Sequence, residues 1–143
     1  MMQSMSRPTI RFTALALLSL AACSEAPPPP PAHPICPMYV ALFDFDSSAI
    51  NQKTEQLVRL VARHLSEQPW RLRIIGHTDR AGSADYNVVL SQRRAKAVRD
   101  ALVREGIPAE RLAIMYRGEL EPLVKTQDGV REPENRRVEL VGY

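Results

Sequence analysis

The sequence predicts an α+β sandwich, in which two helices pack on one face of a four-stranded mixed sheet in the order βαβαββ. Three observations predict it. Four short runs have the composition or alternation of strands, two longer segments have apolar residues at helical spacing, and no internal repeat interrupts the order. The 143 residues, 45% of them hydrophobic, suffice for one domain with a single modest core.

The first half of the predicted domain contains a strand, a helix and a second strand. Residues 39–45 (YVALFDF) are rich in β-branched and aromatic side chains, and the DSS that follows can cap a helix from about Ala49 to Ser66. Pro69 ends this helix, and residues 70–76 (WRLRIIG) alternate apolar and basic side chains, as in a strand with one covered face. The helix packs on the sheet through Ile50, Leu57, Val61 and Leu65.

The second half contains a helix and two further strands. The helix begins near Asp85 and ends by Gly106, which suits a left-handed cap, and Pro108 prevents its continuation. Residues 112–116 (LAIMY) and 136–140 (RRVEL) are the third and fourth strands. Any strand-helix-strand unit that pairs in parallel should cross over right-handed, but periodicity does not predict the strand order.

One basic residue of the second helix lies on its apolar stripe. At about 100° per residue, Arg94 shares a narrow arc with apolar neighbours, whereas the other basic residues of the helix point elsewhere. A guanidinium keeps its proton, so we expect carboxylate or phosphate oxygens to meet it. The apolar neighbours are Leu90, Val98 and Ala101, and the outward residues are Arg93, Lys96 and Arg104.

Asp79 follows the second strand, so that a carboxylate and the Arg94 guanidinium border one cleft. Two interpretations are open. The two side chains form a structural ion pair with each other, or they hold opposite ends of a zwitterion, with an ammonium on Asp79 and a carboxylate on Arg94. Each such charge-assisted bond contributes roughly 1.5 to 3 kcal/mol.

The N-terminus has the features of a secretory leader over residues 1–22, with Arg7 and Arg11 ahead of an apolar run that is too short to span a bilayer. It ends in LAAC, which resembles the lipobox of bacterial lipoproteins. That resemblance implies that the Cys23 thiolate takes a diacylglyceryl group and the freed amine a third acyl chain. The alternative is an ordinary leader with a chance cysteine. Residues 23–38 then carry the lipidated cysteine and a proline-rich tether that favours polyproline II.

Charge, cysteine content and histidine spacing argue against a nucleic-acid-binding protein and against a metalloprotein. Of the 19 basic residues, Arg7 and Arg11 leave with the leader, so 17 remain against 16 acidic residues, and nucleic acid is not an expected partner. With Cys23 acylated, Cys36 is the only remaining thiol. We expect no metal site and no cofactor, because the cysteines and histidines lack the paired spacing of metal ligands; the histidines are His33, His64 and His77.

Three segments, GHTDRAGSADYNVVLSQRRA, RGELEP and NRRVEL, together resemble the OmpA-like C-terminal domain, over residues 39–143. The resemblance implies non-covalent binding of peptidoglycan through the diaminopimelate of its stem peptide. It implies that Asp79 takes the amino group and Arg94 the carboxylate. The further contacts that it implies are Phe45, Asp46, Asn87, Leu90 and Arg136.

Some of these residues also have structural interpretations. Asp46 can cap the first helix instead, and Arg136 can be a surface charge of the fourth strand. His77 at a strand end is expected to be structural, and Trp70 to belong to the core rather than to a carbohydrate platform.

The expected function is that of an outer-membrane lipoprotein, anchored by its lipid at the periplasmic face, that binds the cell wall. Ser24 supports outer-membrane sorting by resemblance, because aspartate at this position commonly signals inner-membrane retention. The alternative is an envelope scaffold that uses the same fold to dock a protein partner of a Tol-like or secretion system. An enzyme is not expected, because no nucleophile stands with a base and no paired carboxylates suggest glycan hydrolysis.

Overall fold

The computed structural model describes residues 38–143, which form the expected four-stranded mixed sheet and two helices. The leader, Cys23, Cys36 and the tether up to residue 37 lie outside the described residues. Within residues 38–143, no helix is both long and apolar enough to cross a membrane. The elements are β1 (Met38–Leu42), α1 (Gln52–Glu67), β2 (Leu72–His77), α2 (Ala84–Arg104), β3 (Leu112–Gly118) and β4 (Arg137–Gly142).

The strands are arranged in the order β1-β4-β2-β3. β2 and β3 are parallel and are connected through α2, whereas β4 is antiparallel to both β1 and β2. Ile74, at the centre of β2, lies opposite Leu140 of β4 and Ile114 of β3, on the face that packs against the helices. The chain therefore returns from the edge strand β3 to place β4 in the middle of the sheet, beside β2.

The segment between β1 and α1 is longer than the sequence predicts. β1 ends at Leu42 instead of residue 45, and α1 begins at Gln52 instead of about Ala49. The physical reason is a different cap: the Asn51 side chain accepts a hydrogen bond from the Thr54 N–H at 2.9 Å. The interpretation of Asp46 as the cap of this helix is therefore wrong, and Asp46 instead has a left-handed backbone with φ 51°.

The other boundaries differ by a few residues. β2 covers Leu72–His77 rather than 70–76, β3 continues to Gly118, and β4 begins at Arg137 because a short 3₁₀ turn over Pro133–Asn135 precedes it. α1 ends at Glu67, two residues before Pro69, as expected. The predicted stripe of α1 is confirmed for Val61 and Leu65, whereas Ile50 and Leu57 are only partly buried. The buried residues of α1 are Thr54, Val58, Val61, Ala62 and Leu65.

Two glycines allow α2 to take its position. At Gly76, an added Cβ would lie 2.0 Å from the carbonyl oxygen of Ser91, so only glycine lets this part of α2 lie directly on β2. Gly106 has φ 93° and follows the helix, as the sequence predicts. The close approach at Gly76 brings the N-terminal half of α2 over the end of β2.

The buried core has two chemically different ends. One end, which we call the apolar end, lies at the starts of β2 and β3 and the C-terminal halves of the helices; it contains Leu65, Leu72, Leu102, Ile107 and Leu112. The other, the polar end, lies where β2 finishes, α2 begins and β4 starts. Its buried polar residues are His77, Thr78, Asp79, Asn87, Ser91, Arg94, Asn135 and Arg137.

Candidate functional site

A cavity of about 320 Å³ lies at the polar end. It is formed by the β1–α1 loop, the β2–α2 loop and the first turns of α2. Six of the seven ligand-binding residues expected from the sequence line it, and the seventh, Arg136, contacts one of them. The lining residues are Phe45, Asp46, Asp79, Ala81, Gly82, Tyr86, Asn87, Leu90 and Arg94.

Arg94 is fully buried, with 0% of its surface exposed, as its place on the helical wheel predicts. The acidic partner expected for it is absent from the described part of the chain. Its guanidinium donates instead to three backbone carbonyls, those of Ser47 (2.8 Å), His77 (3.1 Å) and Asp44 (3.0 Å). Two carbonyls of the β1–α1 loop and the carbonyl of the last residue of β2 supply these acceptors, so the anion expected at Arg94 stays a prediction for a bound ligand.

The guanidinium of Arg94 can still donate further hydrogen bonds. Three of its five N–H groups donate to these carbonyls, and the other two have no acceptor among residues 38–143. Burial lowers the pKa of Arg94 to about 10, and the nearby Asp79 carboxylate opposes this shift. Arg94 is thus a cation at neutral pH, and it lines a cavity without being neutralised by a bonded carboxylate.

Asp79 pairs with a different arginine. Its Oδ2 lies 3.1 Å from Nη1 of Arg136 and accepts from the Glu132 N–H at 3.2 Å, while its Oδ1 accepts from the Ala81 N–H at 3.3 Å. The interpretation of Asp79 and Arg94 as a structural ion pair is therefore wrong. Arg136 is not a surface charge either, because only 13% of its side chain is exposed and its Nε donates to the Phe43 carbonyl.

The opposite wall of the cavity contains a residue that the sequence analysis did not identify. The Tyr86 hydroxyl donates to Oδ1 of Asp46, and this hydrogen bond raises the pKa of Tyr86. At about 100° per residue, Tyr86 lies outside the arc of Leu90 and Arg94 and in the same direction as the outward Arg104, so the helical wheel does not identify it. Ala81 and Gly82, also missed, contribute to the loop wall and carry no side-chain chemistry that a motif could reveal.

Asn87 connects the two sides of the site. Its buried amide donates to the Ala81 carbonyl at 3.2 Å and to the Glu119 carboxylate at 2.6 Å. These bonds fix the β2–α2 loop and the start of the β3–β4 loop to α2. Leu90, one turn further along α2, supplies an apolar wall.

Two residues with structural interpretations lie away from the cavity. His77 is buried, its nearest carboxylate is that of Glu139 at 3.7 Å, and burial, together with Arg137, lowers its pKa to about 4. Trp70 packs against the core, as predicted. Among residues 38–143, no three His, Cys, Asp or Glu side chains are grouped so as to hold a metal ion.

Comparisons with known proteins agree with this fold. The OmpA family matches residues 42–136. The peptidoglycan-associated lipoprotein of Pseudomonas aeruginosa is 35% identical over 98 residues, which are 68% of this chain and 58% of that protein. An outer membrane protein of Gluconacetobacter diazotrophicus is 36% identical over 110 residues, 72% of this chain and 29% of that protein. The chain thus spans between 29% and 58% of the length of these two relatives.

Solved structures give the same result. The crystal structure of the peptidoglycan-associated lipoprotein from Burkholderia pseudomallei has a TM-score of 0.68 and 32% identity, over 73% of this chain and 89% of that one. The OmpA-like domain of FopA1 from Francisella tularensis has a TM-score of 0.65, over 73% of this chain and 70% of that one; at 22% identity, it shows the fold alone.

Proposed function

The chain belongs to the OmpA family, and on that basis we propose that it binds peptidoglycan non-covalently, through the diaminopimelate of the stem peptide. We further propose that it is a lipoprotein that anchors the outer membrane to the cell wall. Relatives named peptidoglycan-associated lipoprotein, at 35% identity, support this role.

One observation carries the proposal: a buried arginine without a bonded carboxylate and a buried aspartate line the same cavity. The free end of diaminopimelate presents an ammonium and a carboxylate on one carbon. In the proposed complex, the two unused N–H groups of Arg94 donate to the carboxylate. The Asp79 carboxylate, which still has acceptor capacity beyond its protein bonds, accepts from the ammonium.

The remaining lining residues suit the rest of this ligand. Leu90 and Phe45 offer apolar surface to its methylene groups, and Asp46, held by Tyr86, adds negative charge on the ammonium side. Each charge-assisted bond contributes about 1.5 to 3 kcal/mol, so two of them would give specificity for a zwitterion over either charge alone.

Co-sedimentation of the full-length chain with purified peptidoglycan sacculi tests the proposal. We expect the protein to pellet with sacculi and free meso-diaminopimelate to release it. Failure to pellet, or pelleting that the free amino acid does not reverse, would contradict it.

The alternative is a scaffold that docks an envelope protein. It is favoured by two strongly exposed leucines in the β3–β4 loop, Leu120 at 78% and Leu123 at 62%. Competition by free diaminopimelate separates the functions, because it should displace wall binding and should not displace a docked protein. A double Leu120→Ser, Leu123→Ser variant should lose the protein partner of a scaffold but still pellet with sacculi, because neither leucine lines the cavity.

The lipid anchor is tested at Cys23. A serine hydroxyl cannot replace the thiol in the lipid thioether, so Cys23→Ser should move the protein from the membrane fraction to the soluble periplasm. Three acyl chains exceed the two signals that stable anchoring requires. Release of the parent protein without detergent would contradict the anchor.

A further inference from the structure

Arg131, in the β3–β4 loop, lies at the rim of the cavity although it does not line it. Its guanidinium carbon is 3.8 Å from the centre of the Phe45 ring, and the N–H of the next residue, Glu132, bonds Oδ2 of Asp79 at 3.2 Å. Both Phe45 and Asp79 line the cavity. The contact of its side chain with Phe45 and the hydrogen bond of the neighbouring Glu132 N–H thus hold Arg131 close to Asp79.

The Phe45 ring lies beneath Arg131, in a segment that is anchored on both sides. The residues on either side of it are tied down, since the Asp44 carbonyl accepts from buried Arg94 and the Asp46 carboxylate accepts from Tyr86. Stacking on this ring uses the flat face of the guanidinium and leaves its N–H edge free for a planar anion.

Arg131 differs from the other arginines around the cavity. Arg136 is paired with Asp79, Arg80 with Asp128, and Arg94 donates to carbonyls. Arg131 is exposed and forms no ion pair with any residue of the described chain. It is therefore a positioned cation whose N–H edge is available at the cavity mouth.

We propose that Arg131 binds a second carboxylate of the same ligand: the free α-carboxylate of the γ-linked glutamyl residue that precedes diaminopimelate in the stem peptide. This inference rests on the proposed function. When the zwitterionic end occupies the cavity, the rest of the peptide must leave through the mouth, and Arg131 lies at the rim of that mouth. The chain should consequently distinguish stem peptides with a free glutamyl carboxylate from those in which it is amidated.

The test is calorimetric titration of the full-length chain with two peptides, L-Ala-γ-D-Glu-meso-diaminopimelate and the same peptide with the glutamyl α-carboxylate amidated. The parent protein should prefer the free carboxylate by about three- to fivefold, the size of a solvent-exposed ion pair. Arg131→Gln should abolish this preference while leaving the affinity for the amidated peptide unchanged. Arg63→Gln, which removes the same charge from the exposed face of α1, should preserve the preference.

Equal affinity of the parent protein for the two peptides would overturn the inference, and so would an equal loss of both affinities in Arg131→Gln. Either result leaves the proposed function intact, because the peptides still bind. If neither peptide binds the parent protein, the proposed function fails and the inference fails with it.

Discussion

The two ends of the core are stabilised in different ways. At the apolar end, leucines of both helices and of β2 and β3 pack against one another. At the polar end, buried groups are held by hydrogen bonds to loops, as Arg94 is by three carbonyls and Asp79 by Arg136 and two backbone N–H groups. Both ends belong to the same sheet and the same pair of helices, so the difference is in sequence rather than in architecture.

The two ends also differ in how completely their buried polar groups are hydrogen-bonded. A buried polar group without a partner costs free energy, and native proteins contain few of them. Within the described residues, several buried polar atoms of the polar end have no hydrogen-bond partner, among them both ring nitrogens of His77, Oγ1 of Thr78 and Oδ1 of Asn87. The polar end thus depends on hydrogen bonds to loops, whereas the apolar end depends on packing.

The largest effect is expected from Arg94→Ala. Loss of the buried cation should weaken sacculus binding by about 2 to 5 kcal/mol, because a ligand carboxylate would be left unpaired. Three carbonyls also lose their donor, so the free energy of unfolding should fall by about 1 to 3 kcal/mol. Sedimentation and denaturant unfolding measure the two effects. Arg93→Ala, an exposed neighbour, should change neither; a loss of stability with normal binding would contradict the assignment.

At the apolar end, Leu65→Ala should have the opposite profile. The cavity that it leaves should lower the free energy of unfolding by about 2 to 5 kcal/mol. The protein that remains folded should bind sacculi with unchanged affinity. A binding curve at a temperature well below the melting point measures this, and a reduced affinity there would break the distinction between the two ends.

His77 makes the polar end sensitive to pH. Its pKa is lowered from 6.5 to about 4 in the folded protein, so the unfolded chain takes up a proton more readily between these values. Stability should therefore be full above pH 6.5 and fall as the pH drops towards 4, by about 2 kcal/mol between pH 7 and pH 5. Four charged side chains also act on the His77 ring. The arginines lower its pKa and the glutamates raise it; they are Arg137, Arg117, Glu139 and Glu121.

His77→Gln is the matched control for this pH effect. Unfolding in denaturant at pH 7 and pH 5 should show a smaller difference for this variant than for the parent protein. An equal difference in both proteins would assign the pH dependence to other groups.

The smallest effect is expected from Tyr86→Phe. It removes the hydrogen bond to Asp46 but keeps the ring in the cavity wall, so affinity for a diaminopimelate peptide should fall slightly, with little change in stability. Calorimetry and a thermal melt measure these quantities. Unchanged affinity would show that Asp46 needs no orientation by Tyr86.

Local patterns predicted much of this structure. The helical wheel placed Arg94 inside and Arg93 outside, and both are confirmed. Gly106 is predicted to end α2 because glycine suits a left-handed cap, and its φ of 93° confirms this. These features depend on neighbours within a few turns of one helix, which is why periodicity alone reveals them.

The partners of the buried charges could not be predicted in the same way. Arg136 is 57 residues from Asp79, and two of the three carbonyls that Arg94 contacts are 47 and 50 residues away. Every residue has a carbonyl, so an acceptor of this kind leaves no signature in the sequence. The strand order is equally hard to predict, because it depends on which segments, distant in the sequence, pair with each other.

The start of α1 was mispredicted for a related reason. Asp46, Ser47 and Asn51 are all residue types that cap helices. Arg94 holds the carbonyls of Asp44 and Ser47 and so keeps this segment in a loop, which leaves Asn51 as the cap. A contact from α2 thus determines which of these three residues caps α1.

The central claim is that Arg94 and Asp79 together bind a zwitterion, and one calorimetric comparison tests it most directly. The full-length chain is titrated with a stem tripeptide that contains meso-diaminopimelate and with the same tripeptide that contains lysine, whose side chain has the ammonium but no adjacent carboxylate. We expect the diaminopimelate peptide to bind at least about tenfold more tightly, because only it supplies a partner for the buried guanidinium. Equal affinity for the two peptides would contradict the claim.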